Sequence, residues 1–376
     1  MNQQTLHGAV LTPEGFLQGS IAWGEGRIQT LEGNRVDESA ARRAGPLILP
    51  GFIDLHVHGG AGADTMEAAD SIVTIACGHA RHGTTSLLAT TMTAPLSEIE
   101  EALRSLSPWC EQRPPGGASV LGVHLEGPYL NAERLGAQPD FARPATVDEI
   151  LALHAIAPIR VVTLAPERAQ NLTLIPQLVA KGIRVQLGHS DATYEQAVQA
   201  LDAGAAGFTH LFNAMGPFHH RAPGAPGAAL AHAQHAEFIP DLLHVHPGAI
   251  RAAMRAIPGM FAVTDATAAA GMPDGQYLLG RQRVLACMGA VRLPDGTLAG
   301  STLTMDRALR NLVSIGLSVA EASARVSRIP AQYLGLWDRG ECRVGARADL
   351  VVLDAQSLAL QQVWIEGECI DFADGH

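Results

Sequence analysis

The sequence predicts an α/β protein: a TIM-like (β/α)8 barrel joined to a small β-sandwich domain formed from both ends of the chain. Three observations carry this expectation. Across the middle of the chain, short apolar runs alternate with helix-patterned stretches eight times, the rhythm of strand, loop, helix. Nearly every apolar run ends in a histidine or an acid, and a TIM barrel gathers its strand ends on one catalytic rim. Both ends of the chain read as short strands, too few on either side to bury a face alone. A doubly wound sheet is the alternative. It calls for a G-x-G-x-x-G turn opening a helix, and the GGAG run at 59–62 lacks that spacing.

In order, strand-like segments at 9–11, 20–23 and 27–31 are separated by turns bearing Gly15, Gly24 and Gly26. Their partners are the strand-like segments 349–354 and 363–366 at the other end. Between them, strands are expected at 48–57, 86–89, 120–125, 161–164, 183–187, 207–211, 238–245 and 260–264. Helices are expected at 68–82, 146–156 and 194–203, the last with the apolar spacing of a half-buried helix. The division is therefore 1–49 and 340–376 for the terminal domain and 50–339 for the barrel.

At 376 residues, 47% hydrophobic and with mean hydropathy +0.12, the chain can bury a large core. Its formal charge of −11 argues against nucleic acid or an anionic membrane as partner. An anionic small substrate then needs a local basic pocket. Five scattered cysteines form no C-x-x-C pair, which suits a reducing cytosol. The opening MNQQTL has neither the basic region nor the apolar segment of a secretory leader, and no apolar run is long enough to span a bilayer, so a cytoplasmic protein is expected.

Chemistry is read from the strand ends. His56 and His58 are two residues apart, so in a strand both imidazoles face one side, as a divalent metal requires. Glu126, His189 and His210 offer one carboxylate and two imidazoles, an open catalytic set that leaves room for water. Taken singly, each has a bland explanation: a half-exposed histidine, a paired glutamate, a helix cap. Taken together they share one rim. His56 and His58 can hold a second metal with Glu126 as bridge. Lys181, the only lysine, lies before its strand rather than at its end, so a carbamylated lysine is not available for bridging. Asp265, on the last strand, suits a general base that passes a proton on to a leaving amine. One or two divalent ions are expected; zinc, iron and manganese all accept this donor set.

At these residues the chain resembles the N-acetylglucosamine-6-phosphate deacetylases of the amidohydrolase superfamily. The matching strings are PGFIDLHVHG at 50–59, HLEGP at 124–128, GHSDATY at 188–194, and HLFNAM at 210–215 leading to RAPG at 221–224. TDA at 264–266, GMPDG at 271–275, LAGSTLTM at 298–305 and GARADLVVLD at 345–354 complete them. The resemblance implies hydrolysis of the acetamide of a phosphorylated N-acetyl amino sugar, with Glu126, His189 and His210 as main ligands and Asp265 as acid and base. It implies Arg221 and His244 on the phosphate, and backbone groups of Ala137, Asn213, Ala214 and the Leu298, Ala299, Gly300 and Ser301 loop on the sugar. It also implies a homodimer. Three departures stand out. Both first-strand histidines are kept, which favours two metals. Gln138 stands where many members have a histidine that polarises the amide carbonyl, and can donate only a neutral hydrogen bond. The segment before His244 is more apolar than usual. A galactosamine-isomer deacetylase and an amidohydrolase for other N-acyl compounds are the alternatives; a catalytically dead barrel would have lost ligands, and none is missing.

Overall fold

Gly51 divides the two parts of the molecule. A Cβ at this position would sit 2.3 Å from the Thr85 methyl, so only glycine lets the chain turn from one sheet into the other. The expected single strand at 48–57 is therefore two: Leu47–Pro50 in the terminal domain and Phe52–Val57 in the barrel. The computed structural model describes residues 3–67, 70–168 and 170–371. The first two residues of the helix expected at 68–82 lie outside that set; the observed helix is Ser71–Ala80.

The chain ends build one seven-stranded sheet. Its central strands, Gln4–Thr12, Leu47–Pro50 and Leu350–Leu353, come from both ends of the sequence. The sheet curls over a core of its own, including Val10, Ile21, Ile28, Ile48 and Leu350. Trp23 meets Trp364 edge-on at 4.9 Å, and its indole Nε1 donates to the Gly367 carbonyl at 3.2 Å. That contact ties the layers of the sandwich together.

Six parallel barrel strands follow one another in order: Phe52–Val57, Thr84–Thr90, Ser119–Glu126, Ile159–Leu164, Arg184–Leu187 and Gly207–Phe208. The seventh and eighth, His235–Phe238 and Gly259–Ala262, pair in parallel. Leu211 N donates to Glu237 O at 2.8 Å, joining sixth to seventh, and Asp265 N donates to His56 O at 3.0 Å, closing eighth on first. The strands are almost wholly buried, as parallel strands covered by helices are. Helix Tyr194–Asp202 opens on a capping box, Thr193 and Gln196 each bonding the other's backbone, worth about 1 kcal/mol.

The expected seventh strand at 238–245 is displaced. Pro240 has no N–H for a central ladder, Leu242 is left-handed (φ 67°), and the Asp241 carboxylate accepts from Leu243 N and His244 N, both at 2.9 Å. The strand therefore ends at Phe238, and His244 stands in the loop beyond it. A four-stranded antiparallel sheet over 275–301, absent from the sequence expectation, carries the segment Leu298–Ser301 to the rim. Among the described residues no helix is long and apolar enough to cross a membrane.

Candidate metal centre

Strand alternation puts Asp54 and His56 on the inner face of the first strand, with His58 just beyond it. The third strand does the same with His124 and Glu126. All five are buried. The remaining donors arrive differently. His189 (φ 48°), His210 (φ 27°) and Asp265 (φ 51°) each lie one to three residues past a strand end in left-handed backbone. Such conformations cost roughly 1 kcal/mol or more apiece and persist where the surroundings over-determine them.

The donors form two groups around one carboxylate. Glu126 Oε1 lies 3.2 Å from His189 Nε2 and 3.1 Å from His210 Nε2, and those two nitrogens are 3.1 Å apart. Glu126 Oε2 lies 3.0 Å from His58 Nε2 and 3.5 Å from His56 Nε2, themselves 3.2 Å apart. Asp265 Oδ1 stands 3.4 Å from both of the latter nitrogens. Glu126, His189 and His210 thus make one set of three donors, and His56, His58 and Asp265 a second. The donors fit divalent cations. Imidazole nitrogens this close cannot all be satisfied by one another: the Nε2 atoms of His189 and His210 converge on one Glu126 oxygen and those of His56 and His58 on the other. His189 Nδ1 is held by the Arg134 carbonyl at 2.8 Å, which leaves its Nε2 lone pair for the centre.

Electrostatics agree. Burial pushes the His56 imidazole down, but the Glu126 and Asp265 carboxylates push it further up, so it ends well above its ordinary value. His189 is raised in the same balance, chiefly by Glu126. Burial raises Glu126, and the charges of His56 and His189 outweigh it, holding that carboxyl well below its usual range. A cation held here would compensate the buried carboxylate in place of protons on the imidazoles. Burial alone carries Asp54 to about 7 despite its bonds from Thr264. That residue accepts from Thr264 Oγ1 at 2.6 Å and so braces the turn that holds Asp265.

A cavity of about 350 Å³ opens over the centre. His58, Glu126, His189, His210 and Asp265 line it, with Ala137, Gln138, Asn213, Ala214, His244, Leu298 and Gly300. Ala299 is buried beneath that wall, and Ser301 Oγ donates to Thr264 O at 2.6 Å. Arg221 does not line the cavity; it stands on an exposed loop with its guanidinium 2.8 Å from His220 Nε2. Gln138 is engaged at both ends: its amide N donates to Glu126 Oε2 at 2.6 Å and its amide O accepts from Thr93 N at 2.7 Å. His244 Nδ1 lies 2.6 Å from Asp241 Oδ2. Burial lowers His244 but the Asp241 hydrogen bond and charge raise it further, leaving it above its ordinary value.

Sequence reasoning missed Glu237 and Asp54. Asp54 is two residues before His56 and shares its face, so alternation could have found it. Glu237 gave no signal, because the strand expected at 238–245 starts three residues past the start of the observed one, His235–Phe238.

Comparison with known proteins accords with this geometry. The model of the amidohydrolase family matches residues 47–370. An N-acetylgalactosamine-6-phosphate deacetylase of Escherichia coli O157:H7 is 42% identical, covering 96% of this chain and 98% of its own. An N-acetylglucosamine-6-phosphate deacetylase of Lysinibacillus sphaericus is 40% identical over 85% and 84%. Among solved structures, a mutant N-acetyl-D-glucosamine-6-phosphate deacetylase of Mycobacterium smegmatis in complex with N-acetyl-D-glucosamine-6-phosphate superposes with TM-score 0.90 at 33% identity, covering 98% and 100%. The Thermotoga maritima N-acetylglucosamine-6-phosphate deacetylase gives 0.89 at 33%, covering 98% and 99%. The chain belongs to the amidohydrolase family, among its amino-sugar-6-phosphate deacetylases.

Proposed function

We propose that the chain hydrolyses the acetamide of N-acetyl-D-glucosamine 6-phosphate to D-glucosamine 6-phosphate and acetate. The observation that carries this reading is Glu126, one oxygen turned to His189 and His210 and the other to His56 and His58, at the floor of a cavity rimmed by His244. Glu126, His189 and His210 would hold one divalent cation, and His56, His58 and Asp265 a second, zinc being our choice for both. Bound there, such a cation supplies Lewis acidity toward an amide carbonyl and makes nearby water a stronger acid.

The protein's own groups do the rest. The Asp265 carboxylate takes a proton from the attacking water and returns it to the amide nitrogen as the C–N bond breaks. Gln138, spanning Glu126 and Thr93 N, fixes the carboxylate and lines the cavity, where its second amide N–H is available to the substrate. His244, its Nδ1 bonded to Asp241, presents a positively charged ring to the 6-phosphate. Asn213, Ala214, Ala137 and the 298–301 segment shape the sugar pocket. Arg221 stays outside a single chain's cavity, on a loop that also exposes Phe218 (56%), which supports a homodimer with that loop at the contact. The free cysteines support a cytoplasmic setting.

The 42% identity to a galactosamine-isomer deacetylase favours a second reading, the C4 epimer as substrate. Acetate release from both phosphorylated sugars and from unphosphorylated N-acetylglucosamine tests the two. We expect kcat/KM highest for N-acetylglucosamine 6-phosphate and at least about a hundredfold lower without phosphate. Preference for the galacto sugar selects the second reading; indifference to the phosphate overturns both.

A further inference from the structure

We infer that Glu237 is the positioning residue of the second cation subsite, acting through His56; this rests on the two-cation reading above. Glu237 lies on the seventh barrel strand and is completely buried. Its Oε2 is 3.0 Å from His56 Nδ1. An ionised carboxylate only accepts hydrogen bonds, so a neutral His56 carries its proton on Nδ1 and offers Nε2 as a bare lone pair. That Nε2 is the atom 3.2 Å from His58 Nε2 and 3.4 Å from Asp265 Oδ1.

Two further facts separate this role from ordinary packing. Glu237 Oε1 has no hydrogen-bond partner although it is buried. The neighbouring His124 cannot serve it: its Nδ1 is 3.1 Å from Leu55 O and 3.9 Å from Oε1, while its Nε2 faces Thr163 Oγ1 at 2.7 Å. A buried carboxylate left half unsatisfied is costly unless positive charge stands close by. Around the single imidazole of His56, three carboxylates converge, Glu237 at 3.0 Å, Asp265 at 3.4 Å and Glu126 at 3.5 Å. One proton on His56 cannot offset them. A divalent cation on Nε2 can, and Glu237 supplies both the tautomer that admits it and part of the charge that retains it.

The test is a zinc titration of metal-free full-length protein against a chromophoric competitor, for wild type and for Glu237→Gln, with a thermal melt of each metal-free protein. The amide keeps the side chain's shape and removes its charge. Wild type should take up two equivalents. Glu237→Gln should melt as wild type does, bind the first equivalent unchanged, and bind the second about 10- to 100-fold more weakly. In a His56→Ala background the same substitution should change nothing further. Wild type that binds a single equivalent contradicts the two-cation reading itself. Two equivalents of unchanged affinity in Glu237→Gln overturn the role of Glu237 alone. So does a variant that loses both equivalents together or fails to fold, since Glu237 would then support the barrel and not one subsite.

Discussion

His244 owes its charge to Asp241, and the dependence can be read in solution. Its value is raised, so the cation is fully present below about pH 6.5 and is lost as pH rises through the higher value it has in the folded protein. KM for the phosphorylated sugar should therefore climb as pH rises above about 6.5 while that for the unphosphorylated sugar stays flat. His244→Asn should raise the former about tenfold or more and abolish its pH dependence, measured by acetate release. At this scale much was legible from residues alone. Two-residue alternation brought His56 and His58 together, and the shared strand-end rim brought Glu126, His189, His210 and Asp265. Glu237 was hidden because the apolar look of residues 238–245 masked what Pro240 forbids, and only a correct strand register puts it under His56. The locking of Gln138 between Glu126 and Thr93 was equally invisible, since it depends on two contacts across different loops.

Among elements, the segment Leu298–Ser301 shows how backbone holds chemistry. Gly300 is left-handed (φ 61°), and a Cβ there would lie 2.7 Å from the Thr267 methyl and 2.9 Å from the Asp265 carbonyl. Ser301 N also donates to that carbonyl at 2.7 Å, so the segment braces the backbone of Asp265. Gly300→Ala should lower kcat about tenfold or more while costing only about 1–2 kcal/mol of stability, compared by steady-state kinetics and urea unfolding. An unchanged kcat would detach the segment from Asp265. The string LAGSTLTM pointed to this place by resemblance. The four-stranded sheet that delivers it went unread, because its strands are short and partly exposed. Three barrel helices, at 71–80, 147–156 and 194–202, and most strands were legible in the sequence, while boundaries at Gly51 and Phe238 were settled by steric contact and a missing N–H.

For the whole molecule, the centre joins the first, third, fifth, sixth and eighth strands, so a bound cation ties together elements that folding alone must bring into register. Removing it by chelation should lower the melting temperature and adding zinc back should restore it, with about 2.7 kcal/mol gained at a hundredfold excess over Kd. Because His56 and His189 hold protons more tightly than free imidazoles, zinc affinity should go on rising with pH through neutrality, not level off near 6.5. Calorimetric titrations at several pH values check the sign. The most direct measurement is acetate release from N-acetylglucosamine 6-phosphate by zinc-loaded Asp265→Asn, a change that keeps an oxygen on the side chain and removes the base. Turnover should fall about a hundredfold or more while the cation set of Glu126, His189 and His210 stays filled. Turnover equal to that of the wild type would contradict the role of Asp265 and with it the proposed chemistry of the centre.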